Sequence, residues 1–425
     1  MKTITFPYGT TALDVSLPDS TQVLLPNTSE PAGGERAIVR RALENPINCA
    51  ALYDLAKGRR SAIILISCRT RRTGSQIFVP EMLEVLNAAG IPDDRILVYT
   101  ATGTHDNYRP EDAELLIGPD AAKRLRIMGH DCRTPEKLVE VGTTSRGNVV
   151  RLSRTYLNAE LKIAAGRVTY HYFAGFSAGR KSVLPGVSAF ETIMFNHAMA
   201  VIRDGDIRLN PEARNGNLKT NPIHLDMIEA AKMAPPDFAF ATIGNARNEI
   251  THAFAGDMVE AHGQATTLLA ELDGPRLDAP ADLAVIGCGG APYDVNTIQA
   301  IKALLNNYKA VRPGGAIVWA GECPEGSPEW LLKACAIPEL AELQRQIAAK
   351  QVRQAHNPLW IRGAREHANV FMVTTLPDSD VAALGLRKAP TMQAAVEMAA
   401  KLCGEPKRVI AIPYANLTVA RMANA

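Results

Sequence analysis

The sequence predicts an α/β protein of two doubly wound domains, each on a parallel sheet, with a cofactor and substrate cleft between them. Three observations predict it. Apolar runs of strand length are each followed by a glycine or polar turn and then a helical pattern. The chain has 425 residues, more than one domain of roughly 100–200 residues holds. A stretch at 273–280 (DGPRLDAP), with Gly, two Pro and charges, interrupts the alternation as a linker would. The expected domains are 1–274, with 406–425 as a candidate addition, and 281–405.

The run 61–67 (SAIILIS) is continuously apolar, as suits a strand buried on both faces. Helical spacing follows over 76–89 and stops at Gly90, a residue type that ends helices in a left-handed conformation. Residues 95–99 (RILVY) form the next strand, leading into the loop TATGTH that ends at His105. Further strands are expected at 161–165, 238–243, 283–287, 316–320, 370–374 and 408–412. Helices are expected at 188–202, 222–234, 258–272, 297–304 and 391–402. No internal repeat or low-complexity tract interrupts them.

Composition sets outer limits. Hydrophobic residues make up 47% and charged residues 21%, the range of a globular protein. Forty-six Lys and Arg against 44 Asp and Glu leave a net charge of +2, which excludes a nucleic-acid binder working through bulk charge. No apolar run approaches the roughly 18–20 residues that cross a bilayer. The N-terminal stretch alternates like strands and lacks the apolar centre of a signal peptide. Seven cysteines (49, 68, 132, 288, 323, 335, 403) with no C-x-x-C pair suggest neither a disulfide framework nor a thiolate zinc site. A cytoplasmic protein without membrane or nucleic-acid partners is expected.

Residues 168–202 carry the most chemistry. Gly175, Ala178, Gly179 and Gly186, with Ser177 and Ser182, form a small-residue loop beside Arg180 and Lys181, the mixture that lets backbone and cation approach a phosphate. The spacing GxxxGRKS is not that of a P-loop, and Pro185 falls where a Walker-A helix would run. Ser188 and Glu191 have the spacing of a capping box for the helix that follows. On that helix Phe190, Met194, His197 and Val201 share a face, so His197 is either a satisfied core histidine or a ligand reached from the loop. Taken singly, His105 is a loop-end histidine, Lys181 a solvated cation, and Gln299 with Lys302 a solvated pair on one helix face.

Together these residues resemble the nickel-dependent lactate racemase family. HYFAGFSAGRKSVLPGVS followed by His197 in FNH carries the likeness. So do ITFPYGTTALDVSLPD, ATGTH, NPIHLDMIEAAK, AFAGDMVEAH and PYDVNTIQAIKAL, in family order along nearly the whole chain. The resemblance implies a nickel-pincer nucleotide, a pyridinium mononucleotide holding nickel through two sulfur arms and a ring carbon, joined covalently to a lysine. Lys181 resembles that lysine, with Ser177, Gly179, Arg180 and Gly186 in the cofactor loop, and His197 resembles the nickel ligand. His105 and His171 resemble the two general acid/base histidines. Gln299 and Lys302 match the family's Q-x-x-K, beside Tyr293. Arg71 matches the arginine of S-D-x-T-R-P, expected on the substrate carboxylate, and Trp360 matches a tryptophan near the cofactor phosphate. Implied partners are a small 2-hydroxy acid and the enzymes that make the cofactor.

The chemistry suits these residue types. A proton is hard to remove from a carbon beside a carboxylate, whereas a hydride given to an electron-poor ring leaves a planar 2-oxo acid open to return from either face. One base on each side must then take the hydroxyl proton, and histidine titrates near neutrality. An arginine fork holds the carboxylate.

The chain departs from the family at one motif. Where S-D-x-T-R-P is expected it has Ser67, Cys68, Arg69, Thr70, Arg71 and Arg72, losing a carboxylate and gaining a cation. This points to a substrate more acidic than lactate or longer and polyhydroxylated, unless Arg69 and Arg72 face solvent. Cys68 is a candidate contact for substrate or cofactor. Two rival readings stay open: a nicotinamide-dependent 2-hydroxy acid dehydrogenase resting on GCGGAP (287–292), and a non-catalytic homologue that binds nickel or cofactor. Against the first, Pro292 replaces the third glycine and no acidic residue follows at the right distance. His224, in a family-like segment, is the likeliest further histidine.

Overall fold

The structure is a computed structural model and describes residues 1–71, 73–105, 108–273 and 276–423. Arg72 and the linker residues Gly274 and Pro275 lie outside the described residues. Two six-stranded sheets dominate. The first runs in the order Ile250–Gly256, Phe238–Gly244, Leu161–Arg167, Ala62–Ile66, Ile96–Thr100, Arg126–Gly129. Five of these strands are parallel, as their unbroken apolar runs require, and Ala62–Ile66 is buried at every residue. The edge strand Ile250–Gly256 is antiparallel, which the alternation did not predict. The turn 245–249, with Asn248 at φ 65°, is too short for the crossover that a parallel partner needs.

The second sheet is parallel throughout, in the order Arg387–Lys388, Asn369–Val373, Val311–Ala320, Ala281–Gly287, Val409–Ile412, Gln22–Val23. Its last strand corrects the expected domain limits. The N-terminal hairpin, Lys2–Tyr8 with Thr11–Leu17, buries Ile4, Phe6, Val15 and Leu17 against Val285, Val318 and Phe371. Its period-two apolar face thus belongs to the second sheet and not, as the expected limits have it, to the first domain. The expected return of 406–425 to the first domain holds for the tail and not for the strand: Val409–Ile412 pairs with Ala281–Gly287, whereas Val419 packs with Val168, Tyr170 and Phe176 and Arg421 lies over the Tyr170 ring at 4.9 Å.

One contiguous apolar cluster joins the two sheets, running from Ile63, Leu65 and Tyr172 to Ala284, Ile286 and Trp319. The expected helix 188–202 is shorter, Phe190–Ala198, and is followed by a strand, Val201–Ile202. Its capping box does not form, because the Ser188 hydroxyl donates instead to the Val183 carbonyl at 2.8 Å. Among the described residues, no helix is long and apolar enough to cross a membrane.

Candidate active site

A cleft opens at the carboxyl ends of the first sheet's parallel strands, where such sheets bind ligands. Ser67, Cys68 and Arg71 follow Ala62–Ile66, and Thr102 and His105 follow Ile96–Thr100. The second domain closes the other wall with Tyr293, Gln299, Lys302 and Asn416. The cleft therefore brings together Cys68, Arg71, His105, His171, Ser177, Lys181, His197, Tyr293, Gln299 and Lys302. Of the remaining candidates, Gly179, Arg180, Gly186 and Trp360 do not line it. Among the described residues no Asp or Glu lines it either, so the cleft is a site for anions.

The glycine-rich loop carries Lys181 on a short 3-10 turn, Gly179–Ser182, and the P-loop helix is absent. A Cβ on Gly186 would sit 2.2 Å from the Ser182 carbonyl oxygen, and one on Gly179 2.9 Å from the His262 ring. These glycines let the loop fold on itself, not approach a ligand. Ala178 is held at φ 62°, ψ −170°, a backbone region that ordinarily requires glycine, and sits next to the lysine turn.

Arg180 corrects the phosphate-cradle expectation. It is fully buried and points away from the cleft, donating to the carbonyls of Ala174 (2.8 Å), Ala178 (3.3 Å) and Ser177 (3.4 Å). His262 Nε2 lies 2.9 Å from the same guanidinium. Burial lowers the Arg180 pKa to about 9. Arg180 is thus the pin of the loop. Trp360 is also internal, edge-to-face with Tyr172 (5.2 Å) and His356 (5.7 Å) and stacked with Phe173 (6.2 Å) behind the histidine strand. His224 is half-buried and off the cleft.

Burial and repulsion set the charge states. Desolvation, then Arg180 and Arg71, hold the Lys181 ammonium well below its usual pKa, which favours a neutral, nucleophilic amine. Desolvation, then Arg71 and Lys181, do the same to Lys302. Desolvation and the Lys181 charge bring His197 to about 3. Its Nδ1 is a buried nitrogen with no hydrogen-bond partner. The Phe173 ring separates His197 from His171, at 5.0 and 4.5 Å between centroids. His171 Nδ1 accepts the Ala174 N–H at 3.3 Å, so neutral His171 carries its proton on Nε2. Desolvation, then Lys181, Lys302 and Arg71, keep it neutral.

Across the cleft Gln299 Oε1 accepts from Arg71 at 2.7 Å and from Lys302 at 2.5 Å. The Asn296 side chain caps the helix Thr297–Asn307, accepting the Gln299 N–H at 3.1 Å and fixing that turn. Arg69 does not enter the cleft's charge set, since it pairs with Glu325 of the second domain at 3.3 Å. Tyr293 donates to Asn248 of the first domain at 2.8 Å.

Four contributors escaped the sequence reading. Asp226, buried, takes Thr144, Asn148 and Asn196 at 2.6–2.8 Å, and so pins the helix that bears His197. His262 holds Arg180, Thr70 braces Arg71, and Asn248 bridges the domains. Asp226 and His262 lie in the quoted segments NPIHLDMIEAAK and AFAGDMVEAH, but neither segment shows which side chain turns inward.

A two-domain α/β enzyme with an anion-binding cleft, three cleft histidines and two neutral lysines is thereby defined. Residues 8–209 match the family described as "Lactate racemase N-terminal domain" and 277–419 that described as "Lactate racemase C-terminal domain". The lactate racemase of Thermoanaerobacterium thermosaccharolyticum is 34% identical over 330 residues, 77% of this chain and 76% of that protein. That of Lactiplantibacillus plantarum is 31% identical over 399 residues, 89% of each. The lactate racemase apoprotein structure from T. thermosaccharolyticum superposes with TM-score 0.87 at 29% identity, covering 99% of this chain and 100% of that one. A Thermotoga maritima protein at 16% identity and TM-score 0.69, covering 87% of this chain and 96% of that one, shares the fold. The chain belongs to the lactate racemase family and is an isomerase of the racemase type.

Proposed function

We propose that the protein inverts the 2-hydroxy carbon of a 2-hydroxy acid by reversible hydride transfer, using a nickel-pincer nucleotide attached to Lys181. The convergence of His105, His171, Lys181, His197, Arg71, Gln299 and Lys302 on one cleft carries this reading. The residues fit the group. Among the described residues no three His, Cys, Asp or Glu gather to hold a metal ion, so a metal here takes most of its donors from a small molecule. His197, neutral and with an unpartnered buried nitrogen, adds one. Lys181 supplies a neutral amine for the covalent link.

When bound, the group supplies an electron-poor ring able to accept and return a hydride. Arg71 takes the substrate carboxylate, exchanging its contact with Gln299 for a charge-assisted pair. Gln299 and Lys302 then hold the reacting oxygen. His105 takes the hydroxyl proton of one enantiomer, and His171, once in the imidazolium form, gives a proton from Nε2 to the oxygen on the opposite side. Domain closure over the cleft excludes water. The substrate is a 2-hydroxy acid more acidic or more hydroxylated than lactate, because Cys68 leaves Arg71 without a carboxylate among the described lining. The enzymes that build the cofactor are the maturation partners.

The dehydrogenase alternative is disfavoured by the GCGGAP turn. The N-terminal hairpin closes it: Ala291 N donates to the Gly9 carbonyl at 2.8 Å, and a Cβ on Gly290 would sit 2.9 Å from the same oxygen. No approach is left for a pyrophosphate. Intact-mass measurement after co-expression with the cofactor-making enzymes tests the reading. An adduct of the cofactor's mass, absent in Lys181→Ala, supports it, and neither adduct nor nickel overturns it. A panel of 2-hydroxy acids followed by loss of optical purity tests the substrate. Faster inversion of lactate than of hydroxydiacids and aldonates would sink the substrate class.

A further inference from the structure

Cys68 stands where the family motif places an aspartate, and it touches His105. Its thiol is buried, with Sγ 3.5 Å from His105 Nδ1 and 3.1 Å from Thr70 Oγ1. Thr70 Oγ1 in turn accepts an Arg71 N–H at 2.9 Å. With its oxygen occupied by the guanidinium, the Thr70 hydroxyl hydrogen is free to point at Cys68, making sulfur an acceptor on that side. A second sulfur lone pair then faces the imidazole. The backbone N–H of His105 is fixed by the Thr102 carbonyl at 3.0 Å, so the ring is approached from an anchored turn.

We propose that Cys68 is a positioning residue for His105, its sulfur accepting the Nδ1 proton so that Nε2 is the nitrogen left basic. The inference rests on His105 being an acid/base residue of the proposed reaction. Arg71, Thr70, Cys68 and His105 form one relay, which ties the carboxylate-binding residue to the tautomer of the base. The thiol also replaces, beside the imidazole, the carboxylate that the family motif places there. A carboxylate in its place would favour the charged imidazole by about one to three pH units. The other titratable groups lining this cleft are Arg71, His171, Lys181, His197 and Lys302, with Arg167 and the two tyrosines further along; the fixed cation Arg71 opposes the imidazolium. Relative to an aspartate at position 68, the thiol thus disfavours the charged form of His105.

The test compares wild type with Cys68→Asp, Cys68→Ser and Cys68→Ala. In the apoprotein, histidine-selective carbon-13 and nitrogen-15 NMR, with His105→Gln to assign the signal, reads tautomer and titration directly. Cys68→Asp is expected to raise the His105 midpoint by about one pH unit or more. Cys68→Ala is expected to let the Nε2–H tautomer return, with Cys68→Ser close to wild type. A tautomer and midpoint identical in all four proteins overturn the proposal. In the cofactor-loaded enzyme, the acid limb of kcat/KM should move up with Cys68→Asp, while kcat falls about tenfold in Cys68→Ala at unchanged KM. A moved titration with an unmoved rate profile supports the pairing and instead overturns His105 as an acid/base residue.

Discussion

The two walls of the cleft are built differently. Lys181, His197 and His171 come from one stretch of the first domain, pinned from behind by Arg180, His262 and Asp226. The groups opposite straddle the domains, with Arg71 from the first meeting Gln299 and Lys302 from the second. A group bound once and kept needs a fixed wall, whereas a ligand that exchanges every turnover needs contacts that part when the domains do. The fixed wall sits within one domain, so opening the cleft leaves Lys181 and His197 in register while separating Arg71 from Gln299.

This contrast can be broken from either side. The largest effect is expected on the fixed wall: Lys181→Ala removes the adduct and lowers racemisation by more than about 10⁴-fold, read by mass spectrometry and polarimetry. On the divided wall Arg71→Lys keeps the adduct but loses the bidentate fork, raising KM for the acid by about 10–100-fold. If Arg71→Lys also prevented loading, the division of labour would be wrong. Arg180→Met leaves the carbonyls of Ala174, Ser177 and Ala178 without their donor, and should cost about 2–4 kcal/mol in denaturant unfolding with the opposite wall unaffected.

Smaller again is the pH response of the apoprotein. His171, His224 and His262 are held by burial below 6.5, His224 at about 3. Below pH 6.5 the unfolded chain binds protons that the folded one refuses, so stability is full above that pH. It falls on acidification by up to about 1.4 kcal/mol per pH unit for each histidine. A flat stability between pH 7 and 5 would contradict the buried neutral assignment. The least effect belongs to Glu325→Gln, which unpairs Arg69 on a partly exposed face and should change stability by less than about 1 kcal/mol.

Much of the site was legible because its residues are chemically unusual where they stand. A histidine at a strand's carboxyl end, a lysine in a small-residue turn and a histidine on an apolar helix face each invited a role, and the cleft gathers them. Arg180 was misread because a cation beside glycines looks the same in sequence whether it faces out or in. Only the carbonyls of Ala174, Ser177 and Ala178 decide that it turns inward. The strand runs were readable from apolar continuity. The placement of 1–23 was not, since an alternating hairpin states that one face is buried but not against which sheet. Thr70 carries no signal of its own; its part is set by the Sγ and guanidinium on either side of it.

The second sheet is finished by Gln22–Val23 lying beside Val409–Ile412, one from each end of the chain. During synthesis Gln22–Val23 therefore emerges long before its neighbour and cannot pair until Val409–Ile412 has been made. The first domain meanwhile has all its strands and its lysine loop, and no lid. Every strand of the first sheet precedes Ala281–Gly287 in the chain, so the wall that bears Lys181 can be complete before the wall that faces it.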